Sequence, residues 1–506
     1  MLPVTAALIA GILVAAWRIP PVWLAATGVA VSTGISVAML RRGWRMPAAV
    51  SILSAAMFLG LSLAGMHRRP VRLPDGVVMC EVEISEDARM RAGTVSQRTD
   101  AHIVSIRGDG GKWQKMRARL LIYADSSLVL RAGDCIVWRG RIRGFDAATG
   151  YGRMMRSKGY SGSIYLHAGN ILQQSSGPVR AAFRSLHRRA VNRMAELPLR
   201  AENMAVAQAI STGETSMLDR DMRSGYSRAG MAHLLALSGL HVGIVYLFIN
   251  LLLGWLPLLY RGHIIRNVAA VALLWLYVIS TGMPASAVRA ALMFSMLQAA
   301  RAMSAEYSSL NALAGAAFIC LCFDTGLLFD AGFRLSYIAV TAIIICGVPL
   351  CRRLHITAGR RSPVPVRCGV SAANLITDTI VTGLVATAAT APVVSHLFGV
   401  VPLAGILAGP AAVATAAATI LLTAVWIALP SGFAAPLFGP AIDFTAGAMN
   451  SLSSRLSSHD FAAIELRLDT GQTVAVYAIA AIAAYAAAGI VRRHTKNRKS
   501  EKPLLK

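Results

Sequence analysis

Charge is what this sequence has least of. Of its 506 residues only 15% are Asp, Glu, Lys or Arg, against roughly 25% in an ordinary soluble domain. Hydrophobic residues make up 55%, and the mean hydropathy is +0.56. Such a balance excludes a disordered tail, a coiled coil and a disulfide-rich secreted module. Negative charge is scarcer still, with 24 Asp and Glu against 50 Lys and Arg, a net of +26. Lysine is nearly missing from the apolar body: there are seven, and none lies between Lys158 and Lys496. The long apolar part thus carries its positive charge on arginine, which pairs bidentately with phosphate and sheds water more readily than lysine. A GC-rich genome produces the same bias.

Several motifs are also absent. No GxxxxGK[ST] loop occurs, which argues against a built-in P-loop ATPase. Among the eleven histidines there is no His-x-His-x-Asp-His and no HExxH. The seven cysteines include no CxxC, and no zinc spacing is visible. Five of them (Cys320, Cys322, Cys346, Cys351, Cys368) lie in or beside apolar runs, where a free thiol behaves as a small hydrophobe. No metal or cofactor is expected, and the sequence offers no nuclease or ATPase chemistry.

What is present is best divided into spans of about 20 apolar residues. Three runs open the chain: Leu2–Trp17, Pro21–Leu40 and Pro47–Met66. The first has no basic leader and is read as a retained helix. Residues 67–180 are polar, with 19 Lys and Arg against 10 Asp and Glu, a net of +9. Val77–Ile84, His102–Ile106, Gln114–Tyr123 and Cys135–Arg143 read there as strands of a small barrel. Residues 181–230 are lead-in helices. The first, Val179–Arg200, is basic and amphipathic and suits a membrane surface. About nine further apolar runs fill 231–491, and 492–506 is a basic tail.

The positive-inside rule fixes an orientation. The Arg41–Arg45 loop, the arginine-rich loop 352–367 and the tail all belong on the cytoplasmic side. Three spans then place 67–180 outside the cell. In that compartment a Cys80–Cys135 disulfide is chemically allowed, and two buried free thiols are the alternative.

Four clusters put polar groups where apolar ones are expected. The first is His233-Leu-Leu-Ala-Leu-Ser238-Gly239-Leu-His241-Val-Gly243. Two histidines and a serine in a span need partners, so the segment reads either as the lining of a water-filled path or as a hydrogen-bonded helix junction. The second is Pro284-Ala-Ser-Ala-Val-Arg289-Ala. Pro suits a helix start, and Arg289 then sits roughly 7–8 Å inside. Lining a pore and snorkelling to headgroups both remain open. The third is Asp330-Ala-Gly-Phe-Arg334-Leu-Ser336-Tyr337, whose i,i+4 charges allow an ion pair of functional or merely structural use. The fourth is Thr390-Ala-Pro392-Val-Val-Ser395-His396, where Pro392 should kink or end its helix. All four fall in the outer half of the membrane in this orientation, which suggests a shared vestibule.

The polar segment has a matching feature. Lys115, Arg117 and Arg119, and again Arg139, Arg141 and Arg143, alternate with Met116, Leu120, Trp138 and Ile142. In strands each set shows three cations on one face, successive ones roughly 6.6 Å apart. Such a face suits a polyanionic backbone, and a solvated basic surface is the plain alternative.

HLLALSGLHVG at 233–243 closely resembles the signature of the ComEC family of bacterial competence proteins. Thr212-Gly213-Glu214 with the stretch Met217–Gly230, PASAVRA at 284–290 and DAGFRLSY at 330–337 resemble further family blocks. Gly133-Asp134 and Gly144–Gly159 resemble its OB-like module. The resemblance implies a multi-pass protein of the bacterial cytoplasmic (inner) membrane with about 10–12 transmembrane helices and one small extracytoplasmic OB-like β-barrel. It implies import of single-stranded DNA in natural transformation. His233, Ser238, Gly239, His241, Arg289, Asp330, Arg334, Ser336 and Pro392 would then be pore or gating residues, and the six cations of 115–119 and 139–143 would contact DNA. Implied partners are membrane lipids, a separate DNA receptor, a motor ATPase and a separate nuclease, with a homo-oligomer allowed. Three departures stand out: Arg334 replaces a common Gln, Gly405 a common Asn, and the metallo-hydrolase domain of many members does not follow the membrane region.

Two other classes compete. Ser238 with His241 superficially fits an intramembrane serine hydrolase, but Ala236 breaks the GxSG form. His233 and His241 fit a metal or ion transporter only if the helix bends, since eight residues separate them by about 80° around an ideal helix.

Overall fold

The computed structural model describes residues 1–480 apart from 18–21, 69–72, 75, 86–88, 91–95, 109–110, 129, 131–132, 147, 158, 177, 257–261, 303–307, 358, 360–362, 403, 430–434 and 459–462. The tail 492–506 and the second half of the last expected span lie outside the described residues.

In chain order the elements are α1 (Leu2–Trp17), α2 (Val22–Arg41), α3 (Arg45–Arg68), β1 (Val77–Ile84), β2 (Arg89–Met90), β3 (Ser96–Gly108), β4 (Gln114–Asp125), β5 (Asp134–Arg141), β6 (Arg143–Gly144), α4 (Gly150–Ser157), β7 (Tyr160–Leu166), β8 (Ile171–Ser176) and α5 (Pro178–Ala195). Helices then dominate: α6 (Ala201–Thr212), α7 (Arg220–Arg228), α8 (Ala232–Leu235), α9 (Gly239–Leu252), α10 (Gly262–Ser280), α11 (Ala285–Ala302), α12 (Ser309–Phe323), α13 (Ala331–Ala342), α14 (Val348–Leu354), α15 (Val364–Phe398), α16 (Ala404–Ala428) and α17 (Ala435–Ser457). A two-stranded ribbon joins β9 (Val400–Pro402) to β10 (Ala463–Glu465). Two compact units result, one of Met1–Arg189 with Ser295–Asp330, the other of Ala190–Phe294 with Ala331–Lys506.

Among the described residues, six helices are long and apolar enough to cross a membrane: Trp23–Arg41, Arg45–Met66, Gly262–Ser280, Ala331–Leu354, Val364–Phe398 and Ala408–Ala428. Four shorter apolar helices accompany them: Leu2–Ala16, Gly239–Leu252, Ala285–Ala300 and Ser309–Phe323. The chain is a polytopic helical membrane protein. The span Ala331–Leu354 contains a π-helical turn at Ile343–Gly347. The apolar run 398–428 is interrupted at Gly399 (φ +73°), where β9 intervenes.

In the first unit small residues let helices touch. A Cβ on Gly11 would stand 2.0 Å from the Met57 carbonyl oxygen, and one on Gly60 2.3 Å from that of Leu8, so α1 and α3 meet backbone to backbone. Ser36 Oγ and Ser51 Oγ bond at 2.9 Å and tie α2 to α3. The strands form one sheet in the order β6-β7-β4-β3-β1-β5-β8, with β2 on β3. The β3 and β4 runs are longer than expected. β7 and β8 add to the four expected strands, and YSGSIYL carries too little apolar alternation to announce β7. Inward residues of β1, β3, β4, β5 and β7 share one core, including Val82, Ile103, Leu120, Trp138 and Ile164. The sheet therefore curls over its own face. Its ladder nonetheless has two ends, β6 and β8, so among the described residues the closed barrel is not formed.

The register also removes the disulfide. Cys80 pairs with Trp138 and points into the core, whereas Cys135 pairs with Glu83 on the outer face. The two are on opposite faces and three register steps apart, roughly 10 Å along the strands, and no disulfide joins them. Burial pushes the Cys80 thiol up to about 12.

Gly133, at φ +81°, turns the chain into β5. Asp134, which follows, is buried and accepts bonds from Arg184 of α5 at 2.5 Å and Gln174 at 3.2 Å. The start of α5 is thus pinned to the sheet rather than left to lipid. Its far end is held too: Trp426 Nε1 donates to the Arg193 carbonyl at 2.8 Å, and the Arg193 guanidinium lies 4.1 Å from the Trp426 ring centre.

Candidate functional site

The outer face of the sheet carries the cations. Lys115 and Arg117 are exposed, while Met116 packs toward the core between them. Arg139 and Arg141 are exposed on β5, whose Ile136 and Trp138 are buried. The expected strand Cys135–Arg143 divides after Arg141, and Arg143, also exposed, lies on β6 and pairs with Ser163 of β7. Gly140 makes room here, since a Cβ on it would meet the Trp138 ring at 2.3 Å. Arg119 differs from its neighbours. Its guanidinium bonds Asp100 at 2.6 Å and lies 4.5 Å from the Tyr160 ring centre, and Tyr160 Oη donates to the same carboxylate at 2.5 Å. Arg119 is thus a structural cation, and the exposed set is Lys115, Arg117, Arg139, Arg141 and Arg143. Beside it, burial and the charges of Arg119 and Arg117 hold the His102 imidazole below its ordinary value.

The second unit holds the polar groups of the membrane region. The expected span from 233 is broken. α8 ends at Leu235, Ala236 to Ser238 are extended, and α9 starts at Gly239. Ser238 caps α9. Its backbone N–H donates to His241 Nδ1 at 3.1 Å, the reach-back half of a capping box with histidine in the usual glutamate position. Because Nδ1 accepts, the neutral ring carries its proton on Nε2. Among the described residues that buried Nε2 and the buried Ser238 Oγ have no hydrogen-bond partner. His233 is exposed on α8.

The PASAVRA block lies against this break. Gly282 and Met283 both have positive φ, +80° and +56°, and turn the chain into Pro284, after which α11 begins. Ser286 Oγ donates to the Leu237 carbonyl. A Cβ on Gly239 would stand 3.7 Å from the Ala290 methyl, and one on Gly243 3.3 Å from the Phe294 ring. Arg289, 7% exposed, donates to the Gly332 carbonyl of α13 at 3.1 Å. An arginine at membrane depth costs about 2.5–3.5 kcal/mol. Each hydrogen bond from a charged group, such as this one, returns about 1.5–3 kcal/mol. Three sequence blocks, 233–243, 284–290 and 330–337, are brought together here.

The remaining predicted residues are placed as follows. Arg334 and Ser336 are half-buried on α13, and Asp330 is exposed just before that helix starts. Pro392 does not end its helix. α15 runs without interruption from Val364 to Phe398, and it is Gly399 that ends it. Pro392 and Ser395 are buried, with Ser395 Oγ bonded to the Leu466 carbonyl and His396 Nδ1 3.0 Å from that of Leu468. This cluster anchors the segment after β10. No described hydrogen bond joins it to the other three blocks.

Sequence reasoning missed a polar network between α6, α7 and α17. Asp443 accepts from the Arg200 backbone at 3.0 Å, from the Arg200 side chain at 3.0 Å and from Asn203 Nδ2 at 2.8 Å. Asn450 donates to Asn203 at 2.9 Å and accepts from Tyr226 Oη at 2.8 Å. A signal exists in the sequence: Asp443 and Asn450, two turns apart, are polar points in an apolar run. Gly405 also finds its reason. A Cβ there would stand 2.8 Å from the Gly230 carbonyl oxygen, and Gly230 itself has φ +72°. The two glycines let their backbones touch.

The family model described as Competence protein matches residues 210–492, more than half of the chain. The chain belongs to the Competence protein family. All three blocks that meet around Arg289 lie inside the matched region, and the sheet lies before it. ComE operon protein 3 of Bacillus subtilis (strain 168) is 33% identical over 147 residues, which is 28% of this chain and 18% of that protein. The chain thus aligns with less than a fifth of that relative's length. No solved structure matches.

Proposed function

We propose that this competence-family protein conducts single-stranded DNA inward across the bacterial cytoplasmic membrane. The sheet, an OB-like module curled around one core, lies outside and receives the strand on its cationic face. The assembly of 233–243, 284–290 and 330–337 forms the polar path in the membrane, and further helices beyond the six long ones complete the spans. The observation that carries this reading is the convergence of three blocks inside the family match. Ser286 bonds the Leu237 carbonyl at the break beside Ser238 and His241, and Arg289, on the helix of Ser286, bonds the Gly332 carbonyl of α13. Buried donors at such a break suit a water-filled path crossed by phosphates. Driving force and strand degradation come from partner proteins in this reading, since the sequence holds no P-loop.

A hydrolase built on Ser238 and His241 is disfavoured by local geometry. The His241 nitrogen nearest Ser238 is occupied by a backbone N–H rather than by the hydroxyl. The test is uptake of labelled DNA into a nuclease-protected form by cells deleted for this chain. Wild type restores uptake, Ser238→Ala lowers it severalfold, and Arg289→Ala lowers it at least tenfold. Undiminished uptake in the deletion strain would overturn the proposal.

A further inference from the structure

Besides its cations, the outer face of the sheet carries a row of rings. In register across β3, β4 and β7 stand Arg98, Tyr123 and Tyr165. All three belong to the outward set, since Gln97, Thr99, Ala124 and Leu166 beside them are buried. Arg98 is exposed, and Tyr165 is 44% exposed. The Tyr123 and Tyr165 ring centres are 6.0 Å apart with planes 19° from parallel. His167, two residues on, continues the row at 5.0 Å and 25° from Tyr165. Its Nδ1 is fixed 2.8 Å from Asp125 Oδ2. Tyr151 of α4 flanks the row, its Oη 3.4 Å from that of Tyr123.

We infer that Tyr123, Tyr165 and His167 form a stacking platform for successive nucleobases of a single strand, with Arg98 at its end for a phosphate. The inference rests on the DNA-receiving role proposed above and assigns the part of that surface which grips bases. Tyr165 and His167 are exposed, and Tyr123 is half-buried against Leu121, Met155 and Tyr160. Nearly parallel neighbouring rings with solvent-exposed surface can be stacked on by any base, and a strand with unpaired bases is the polyanion able to use them. A duplex hides its base faces, so the platform makes the surface selective for single strands. The adjoining Asp125 carboxylate keeps the backbone off the ring end of the row and leaves the phosphate to Arg98. Sequence alternation contains the signal: Tyr123 continues the 115, 117, 119 series, and Tyr165 and His167 share a face of β7.

The test uses the full chain in lipid nanodiscs and fluorescence anisotropy at low salt. Its probes are labelled oligothymidylate and an abasic oligonucleotide of equal length and charge. Wild type is expected to bind oligothymidylate about fivefold or more tightly than the abasic strand. Tyr165→Ala removes that preference while leaving abasic affinity unchanged, and Tyr165→Phe keeps it. Equal wild-type affinity for the two strands overturns the platform and leaves the cationic surface standing. A Tyr165→Ala variant that loses affinity for both strands equally does the same. No binding of either strand overturns the DNA-receiving reading and the platform with it.

Discussion

The two units handle polar side chains in opposite ways. On the sheet, charges stand outward over an apolar core, and the buried or half-buried Asp134 and Arg119 are drawn into ion pairs. In the helical unit, the informative polar groups are turned inward. Asn203 and Asp443 meet one another, Arg289 meets a backbone carbonyl, and His241 accepts from the Ser238 backbone. The Ser238 hydroxyl and His241 Nε2 are buried without a described partner. The difference follows from solvent. Water satisfies an exposed arginine at no cost, whereas in hydrocarbon each donor must find a partner or a wet path. An outward charge can therefore change without unfolding the sheet, while an inward one is tied to the packing of three helices.

That contrast can be broken in order of expected effect. Asp134→Ala leaves Arg184 half-buried without its carboxylate, and breaking a buried pair costs about 3–5 kcal/mol. A large drop in the thermal midpoint of the purified protein is expected, and an unchanged midpoint would show that the sheet does not depend on the Asp134–Arg184 ion pair. Gly405→Ala pushes a methyl to 2.8 Å from the Gly230 carbonyl, and overpacking of this kind costs about 1–3 kcal/mol. Its readout is the yield of monodisperse protein after detergent extraction, with a conservative change at exposed Leu247 as the control.

Replacing Arg139, Arg141 and Arg143 together by Ala should leave the midpoint within about 0.5 kcal/mol, as for surface changes generally. It should also lower the slope of log affinity for single-stranded DNA against log salt by about 2, since each phosphate neutralised on a single strand adds roughly 0.7. A fall in stability with no change in slope would reverse the assignment of the two regions.

The smallest effects concern titration and thiols. His102 is held below its ordinary value, so the unfolded chain takes up protons first as pH falls. Stability is then full above the ordinary histidine range and declines as pH drops through it. His102→Gln should flatten that decline in a pH series of thermal midpoints. Cys135 should react with a maleimide in the folded protein, and Cys80, buried and with its thiol pushed up to about 12, only after denaturation. Reducing agent should change neither result.

The same contrast explains what is legible in the sequence. Period-two alternation of cations with Met116 and Trp138 places β4 and most of β5 with their faces, because alternation is a local property. It does not show that the strand divides after Arg141 and that Arg143 pairs with β7 instead. Long apolar runs likewise mark the helices. Pairings escape: nothing local says that Arg289 reaches Gly332, that Gly405 lies on Gly230, or that Asp443 gathers Arg200 and Asn203. Cys80 and Cys135 suit each other on compartment grounds alone, and register places them on opposite faces. Pro392 reads as a kink or an end of its helix, yet α15 continues past it and Gly399 supplies the stop.

The central claim is that the sheet is the outward entrance of the path. A reporter that is active only outside the cytoplasm, inserted beside exposed Trp113 in the β3–β4 loop, tests it most directly. The account predicts full reporter activity at that position, together with inactivity at the Arg41–Arg45 loop. Activity at Arg41–Arg45 with silence at Trp113 would contradict it.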